Sequence, residues 1–145
     1  MFRMNSTTSN RFTIGRLAAQ ADVGVDTIRF YERRGLLPKP ERTASGYRLY
    51  KEETINRIRF VRRAKRLGFT LDEIELLLKL QDEGGEKATV KDITTHKLTE
   101  IDAKISDLTR MRKVLTKLAS ECSGKGNIST CPIIDAISDN DIDNP

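Results

Sequence analysis

One long amphipathic pattern, over residues 89–121, limits most strongly what this chain can fold into. Apolar side chains recur there at spacings near three and four, and most of the remaining positions are polar or charged. The apolar positions are Ile93, Leu98, Ile101, Ile105, Leu108, Met111, Leu115 and Leu118. A helix of about 33 residues extends about 50 Å, which is too long to lie over so small a domain. The narrow apolar seam predicts a coiled coil with a second copy of the chain, in an antiparallel or parallel arrangement.

The composition agrees with an extended, paired helix. Only 37% of the 145 residues are hydrophobic and 32% are charged, which is a low apolar share for a compact monomer. The alternative to a dimer is one amphipathic helix packed on its own domain. No apolar run reaches the roughly 18 residues of a transmembrane helix, and residues 1–10 lack the apolar core of a secretory signal. We therefore expect a cytoplasmic protein without membrane contact, in which thiols stay reduced.

Two short helices joined by a tight turn are predicted near the N-terminus. Thr13 can cap a first helix over residues 14–21. Residues 22–24, which read Asp-Val-Gly, break that helix, and a second runs over about 25–34 until Gly35 stops it. This order is typical of a helix-turn-helix, although many helical hairpins share it.

A small β-wing and two further helices are predicted next. Two prolines, an Ala-Ser-Gly turn and the alternating residues 47–50 predict the wing. A third helix follows within residues 53–69 and places five arginines on its outside. The fourth begins at Thr70, where Glu73 completes a capping box, and a Gly-Gly pair ends it.

Charge is divided unevenly along the chain. Residues 1–69 hold 16 of the 26 Lys and Arg residues but only 6 of the 21 Asp and Glu residues. This half is a candidate surface for a polyanion, with ordinary solvated helix faces as the alternative. An enzyme is not expected, because the sequence contains no recognisable Ser/His/Asp or Cys/His set and no phosphate-cradling glycine loop.

Four motifs carry a resemblance to a known family. They read "TIGRLA", "VDTIRFYERRGLL", "SGYRLY" and "RAKRLGFTLDEI", in that order. With them the chain resembles the mercury-resistance-regulator (MerR) family of transcription factors over residues 12 to about 137. The resemblance implies a mostly α fold: a winged helix-turn-helix DNA-binding domain, a long antiparallel coiled-coil dimerisation helix and a short metal-binding loop. It also implies a homodimer that binds double-stranded promoter DNA and distorts it for RNA polymerase holoenzyme when an inducer binds.

The domain organisation follows from these elements. We expect a disordered N-terminus at 1–10, the DNA-binding domain at 11–80, a hinge and dimerisation helix at 81–121, an inducer-binding loop with a short helix at 122–137, and a disordered acidic tail at 138–145.

The DNA-binding residues are predicted on the second helix and the wing. The N-terminal part of the second helix would enter the major groove, where Arg29 can read a guanine edge or bind a phosphate. Tyr31 and Tyr47 can contact phosphates or pack half-buried. The predicted set is Arg16, Thr27, Arg29, Tyr31, Arg42, Gly46, Tyr47 and Arg48.

The segment "CSGKGNISTC" holds the only two cysteines, Cys122 and Cys131. Separate core thiols, a structural disulfide, a redox switch and a metal site are the alternatives. The Gly/Ser/Asn-rich loop is poor core sequence, and a reducing compartment disfavours a disulfide. Two thiolates alone suit a soft d¹⁰ ion in linear coordination, whereas zinc normally takes four ligands. His96, the only histidine, is expected at a surface or between helices. The family resemblance favours the metal site.

Lys87 occupies the position that distinguishes metal classes within the family. The resemblance implies a cysteine from the partner chain there in sensors of divalent ions and a serine in sensors of monovalent ions. The ammonium of Lys87, with Lys91 one turn on, would favour the anionic complex of two thiolates with a monovalent ion. The eight residues between the cysteines instead resemble the loop of mercury regulators. We expect Cu(I), Ag(I) or Au(I), Cu(I) foremost; the alternatives are Hg(II), another divalent ion such as Zn(II), Cd(II) or Pb(II), and a thiol-redox signal.

Overall fold

A computed structural model describes residues 10–139 of the chain. The elements are β1 (Arg11–Phe12), α1 (Ile14–Ala21), α2 (Val25–Arg33), β2 (Glu41–Arg42), β3 (Arg48–Lys51), α3 (Glu53–Arg66), α4 (Leu71–Glu83), α5 (Lys87–Glu121), a 3-10 turn (Ile128–Thr130) and α6 (Pro132–Ser138). The mostly helical fold is confirmed. The predicted disordered N-terminus lies outside the described residues except for residue 10, and the acidic tail except for 138 and 139.

The described part of the chain divides into two compact units, residues 10–94 and residues 95–139. The division falls within α5, so each unit contains part of that helix. The hydrophobic core belongs to the first unit, where it joins side chains from α1, α2, β3, α3 and α4. The predicted domain boundaries stay predictions.

Capping chemistry sets the ends of the first two helices. The hydroxyl of Thr13 accepts a hydrogen bond from the backbone N–H of Arg16 at 3.4 Å, as its position before the helix predicts. Asp22 ends α1 in the left-handed conformation, with φ of 56°. Gly35 follows α2 with φ of 77°, which glycine adopts without a steric penalty. These ends confirm the predicted helix-turn-helix.

The wing belongs to a three-stranded antiparallel sheet with the order β1-β3-β2. β2 and β3 form the wing hairpin, and Arg42 lies opposite Arg48. The predicted strand began at Tyr47, whereas β3 begins one residue later. Strand β1 was not predicted, because two residues are too short to show alternation. Its Phe12 pairs with Tyr50, and both side chains are buried.

The five arginines of α3 were predicted on the outside of the helix, and none of them is buried. The sequence did not show that some of them also bind backbone carbonyls within the first unit. Arg59 donates to the carbonyl of Gln20 at 3.3 Å and Arg62 to that of Ala21 at 3.2 Å. These two carbonyls lie at the C-terminal end of α1, where a helix leaves acceptors without internal partners. Part of the basic charge therefore stabilises the fold.

Arg57 connects three segments of the first unit. Its Nε donates to the carbonyl of Leu36 at 2.6 Å, and its two terminal nitrogens contact the carboxylate of Asp82 at 2.8 and 2.9 Å. The hydrogen bond from Arg57 holds the pKa of Asp82 below its ordinary value. Arg57 thus ties the segment after α2 to the last turn of α4, just before the Gly84-Gly85 pair.

The predicted boundaries of α4 and α5 are nearly correct. The capping box of Thr70 and Glu73 is present in full. Helix α5 begins at Lys87, two residues before the predicted start, because the carbonyl of Glu86 accepts from the N–H of Thr89 at 3.1 Å. None of the described helices is apolar over the length that a membrane crossing needs.

The part of α5 in the second unit leaves most of its apolar seam exposed. The exposed members are Leu98, Ile105, Leu108, Met111 and Leu115. Leu118 is the only apolar residue of this unit that is buried, among those described. A single chain therefore leaves the predicted dimerisation seam in contact with water.

The core of α4 gives a stability prediction. Leu78 is 2% exposed and Leu76, on the same helix, is 44% exposed. We expect Leu78→Ala to lower the free energy of unfolding by about 2–5 kcal/mol, because it removes buried apolar surface and leaves a cavity. Leu76→Ala is the matched control and should cost less than about 1 kcal/mol. Urea unfolding at equal protein concentration measures both, and equal losses would contradict the assigned core.

Candidate nucleic-acid interface and metal site

A groove of about 430 Å³ lies between the start of α1, the exposed side of α2 and the wing. Its lining residues are Thr13, Ile14, Arg29, Arg42, Gly46, Tyr47 and Arg48. Five of the predicted DNA-binding residues are therefore brought together here. Three of the lining residues are arginines and none is acidic. Such a groove has the charge and donor chemistry to bind an anionic backbone.

The wing turn presents its side chains through local hydrogen bonds. The N–H of Thr43 donates to the carbonyl of Tyr47 at 2.8 Å, and Gly46 has φ of 87°. Arg42 donates to the carbonyl of Gly46 at 3.3 Å. The ring of Tyr47 is left 71% exposed, which favours an external contact over the half-buried alternative.

Arg29 lies on the exposed side of α2, and its side chain is 53% exposed. Its guanidinium is 3.8 Å from the carboxylate of Asp26, one turn earlier on the same helix. Sequence reasoning did not single out Asp26. An exposed pair of this kind contributes little to stability, so Arg29 can leave Asp26 for a phosphate or a base edge.

Arg48 is held by a carboxylate that sequence reasoning also missed. Nη1 of Arg48 donates to Oε2 of Glu32 at 3.1 Å, and the hydroxyl of Tyr50 donates to Oε1 of the same residue. Burial, the hydrogen bond to Glu32 and the charge of Glu32 raise the pKa of Tyr50 to about 12. In the sequence, the only indication of this contact was a single acidic residue within the basic "YERR" motif.

The other three predicted DNA-binding residues lie elsewhere. Tyr31 is only 4% exposed and belongs to the core, which favours the packing alternative for this residue. Burial raises its pKa, and the positive charge of Arg62 opposes that shift. Arg16 is exposed, with its guanidinium 5.7 Å from the ring centroid of Phe12. Thr27 is half-buried. Neither Arg16 nor Thr27 lines the groove.

The two cysteines lie at the ends of the predicted loop. Cys122 follows α5, and Cys131 is the residue that precedes α6. Both thiols are partly exposed, so neither is a core residue. Asn127 organises the loop between them by accepting a hydrogen bond from the N–H of Ser129 at 3.0 Å.

The start of α6 changes the acidity of Cys131. The backbone N–H groups of Ile134 and Ile133 lower the pKa of this thiol, and the thiol of Cys122 adds to the effect. Burial and the charge of Asp135 oppose it. A lower pKa favours the thiolate, which is the form that binds metals.

The donor set available from the described residues is small. Among residues 10–139, no group of three or more His, Cys, Asp and Glu side chains is placed to hold a metal ion. His96 pairs with Glu100 on α5, at 3.3 Å between Nε2 and Oε1. Two thiols fit a soft ion in linear coordination. Lys87 and Lys91 lie on the first turns of α5, in the first unit, and their roles stay predictions.

The comparisons with known proteins cover nearly the whole chain. Residues 12–81 match the model described as "MerR HTH family regulatory protein", and residues 55–118 match "MerR, DNA binding". A mercuric resistance operon regulatory protein of Bacillus cereus is 43% identical over 128 residues, which are 88% of this chain and 97% of the relative.

Two solved structures share the fold. One is PbrR691 from Ralstonia metallidurans CH34 in complex with lead(II), with a TM-score of 0.79 and 33% identity over 88% of this chain and 99% of that one. The other is MerR from Bacillus megaterium MB1 in complex with mercury(II), with a TM-score of 0.67 and 39% identity over 88% of this chain and all of that one (100%).

The acidity of Cys131 can be tested directly. In the metal-free Cys122→Ser variant, we expect the rate of alkylation by iodoacetamide to rise with pH around a midpoint below the ordinary pKa of a thiol. The backbone N–H groups at the start of α6 remain in this variant and stabilise the thiolate. The same variant unfolded in denaturant is the control and should show the ordinary midpoint. Identical midpoints in the folded and unfolded protein would contradict the prediction.

Proposed function

The chain belongs to the MerR family of HTH regulatory proteins, and on that premise we propose that it is a metal-responsive transcriptional regulator. It would bind promoter DNA as a homodimer and activate transcription when a thiophilic metal binds Cys122 and Cys131. The observation that carries this function is the arginine-lined groove between α2 and the wing.

The groove supports double-stranded DNA as the ligand. A helix-turn-helix places its second helix in the major groove, and here that helix is α2. Arg29 projects from the exposed side of α2, whereas Arg42 and Arg48 lie on the wing strands. Helix and wing residues on the same groove can bind base edges and the neighbouring phosphates together.

The second unit supports a dimer. Its exposed apolar seam on α5 has the spacing of a coiled coil, and a second copy of α5 would remove it from water. The antiparallel orientation follows from the family resemblance. A two-fold symmetric dimer binds two half-sites, so we expect a pseudo-palindromic operator.

RNA polymerase holoenzyme is the partner that the family resemblance implies. The inducer-bound dimer would distort an over-long promoter spacer so that the polymerase can use both promoter elements. This mechanism needs no enzymatic step. The inducer would act by shifting the DNA-bound dimer toward the conformation that distorts the promoter.

The inducer we propose is a soft d¹⁰ metal ion bound by the two thiolates. Cys122 and Cys131 would hold the ion by each donating an electron pair from its thiolate sulfur, and this coordination would order the loop between α5 and α6. Cys131 is suited to this role because the start of α6 lowers its pKa. Lys87 of the partner chain would favour a monovalent ion, Cu(I) foremost, because its charge opposes an added dication.

A second candidate inducer is favoured by a separate observation. The Bacillus cereus relative is a mercuric resistance regulator, and the Bacillus megaterium structure contains mercury(II). Hg(II) also accepts two thiolates in a linear arrangement. Substitutions of Lys87 therefore distinguish the two candidate inducers, because its proposed role favours Cu(I) over Hg(II). A thiol-redox signal, with a disulfide between the same cysteines, is the remaining alternative.

The DNA-binding function predicts a change in salt dependence. We expect Arg29→Ala to weaken binding to an operator that the wild type selects from a random pool of DNA duplexes. If Arg29 binds a phosphate, the slope of log affinity against log salt should fall by about 2 for the dimer, because each protomer loses one phosphate contact. Lys113→Ala removes the same charge from an exposed position on α5 and is the control. Unchanged affinity of Arg29→Ala across the salt series would remove Arg29 from the interface.

The metal function predicts which thiols and which metals matter. We expect the reduced wild type to bind Cu(I) tightly in competition with a chelator, and Cys122→Ser and Cys131→Ser each to lose that binding. Ser123→Ala, next to Cys122, is the matched control. Lys87→Cys should gain metal-dependent transcription with Hg(II) or Zn(II), whereas Lys87→Ser should keep the monovalent preference.

Three outcomes would change this assignment. A wild type that responds to Hg(II) and not to Cu(I) would make mercury the inducer. Unchanged selectivity of Lys87→Cys would remove Lys87 from the mechanism. The absence of tight metal binding through both thiols, together with activation by peroxide alone, would replace the metal by a redox signal.

A further inference from the structure

Glu32 is an acidic side chain within the part of the fold that faces DNA. It lies on α2, and its side chain is 14% exposed. One carboxylate oxygen accepts from Arg48 on the wing and the other from Tyr50 on the same strand. A carboxylate near DNA opposes binding by charge alone, so its presence here needs a reason.

We propose that Glu32 is a positioning residue that holds Arg48 in its DNA-binding orientation and joins the wing to the second helix of the helix-turn-helix. This inference rests on the proposed function, because it concerns how the groove is organised for DNA.

The geometry leaves Arg48 able to bind a ligand while Glu32 holds it. The contact to Glu32 uses Nη1, at 3.1 Å, and a guanidinium has five N–H donors in a planar fork. The side chain is 38% exposed and lines the groove with Arg29 and Tyr47. Glu32 therefore restricts the rotamers of Arg48 but leaves other N–H donors of its guanidinium available to DNA.

The carboxylate itself is fixed by the core. Tyr50 is 2% exposed and sits on β3, the central strand of the sheet. Its hydroxyl donates to Oε1 of Glu32, so a buried ring sets the position of the carboxylate. The contacts run from the core through Tyr50 and Glu32 to Arg48.

Restricting Arg48 before binding lowers the cost of ordering it on DNA. An arginine side chain has many rotamers, and holding it in the bound geometry removes part of the entropy that association would otherwise cost. The contact also sets the distance between wing and helix, because Glu32 and Arg48 belong to different elements. Both effects strengthen DNA binding.

The charge of Glu32 predicts the opposite effect. A second groove of about 350 Å³ contains Glu32 among the basic residues Arg33, Lys39, Arg42 and Arg48. If Glu32 acted only through its charge, neutralising it would make this surface more positive and strengthen DNA binding. Positioning and simple electrostatics therefore predict opposite signs for one substitution.

The test is a double-mutant cycle on operator binding. Glu32→Gln removes the charge but keeps an amide oxygen that can accept from Tyr50. We expect this variant to bind the selected operator roughly tenfold more weakly than the wild type. In an Arg48→Ala background the same substitution should cause no loss of affinity, because the side chain that Glu32 positions is absent. Glu75→Gln, an exposed acid on α4, is the matched control and should leave affinity unchanged.

Each other outcome has a definite meaning. Equal or tighter binding by Glu32→Gln would overturn the proposal. An equal loss of affinity with and without Arg48 would show a general structural role for Glu32 and would also overturn it. A wild-type protein that selects no operator from the duplex pool would instead overturn the proposed function, so the two failures are distinguishable.

Discussion

The burial of one side of α2 is the constraint on which the rest of the structure depends. Ile28 and Tyr31 enter the core of the first unit, and their burial fixes which face of the helix remains outside. Fully burying a large apolar side chain contributes about 1.5–3 kcal/mol. The opposite face carries Arg29, so packing alone presents this side chain to a ligand. The same burial explains why Tyr31, which follows Arg29 closely in sequence, is absent from the groove.

Several charged groups in this protein stabilise the fold by binding other segments of the chain. Arg57, Arg59 and Arg62 bind carbonyls at the ends of other segments, where backbone acceptors would otherwise lack partners. Glu32 holds Arg48 in a comparable way, although Arg48 also lines the groove. Net charge therefore overstates the number of cations that are available to DNA. Arg29, Arg42 and Arg48 line one groove together, and the lining of that groove contains no acidic residue.

The thiol loop is ordered by different interactions from those that order the DNA-binding part. It has little apolar surface to bury, so its order comes from local hydrogen bonds and from the start of α6. A ligand that binds only the folded form of such a segment stabilises that form. Two thiols at the ends of one loop, one of them with a lowered pKa, are a minimal donor set. In the proposed complex, selectivity between ions would depend on nearby charges, which is why Lys87 is central to the proposal for the inducer.

The sequence by itself determined the helices, their caps and the division between a basic and an acidic half. Thr13, Thr70 and Glu73 act on backbone groups within a few residues, so their effects are readable locally. The cysteine pair and the family motifs were equally evident from the sequence.

Only the tertiary structure decided what depends on contacts between distant segments. Strand β1 exists because Phe12 pairs with Tyr50, far along the chain. The buried position of Tyr31 and the link from Tyr50 through Glu32 to Arg48 likewise depend on how α2 and the sheet pack together. The physical reason is that hydrophobic burial and ion pairing are set by spatial neighbours, whereas capping and periodicity are set by neighbours in sequence.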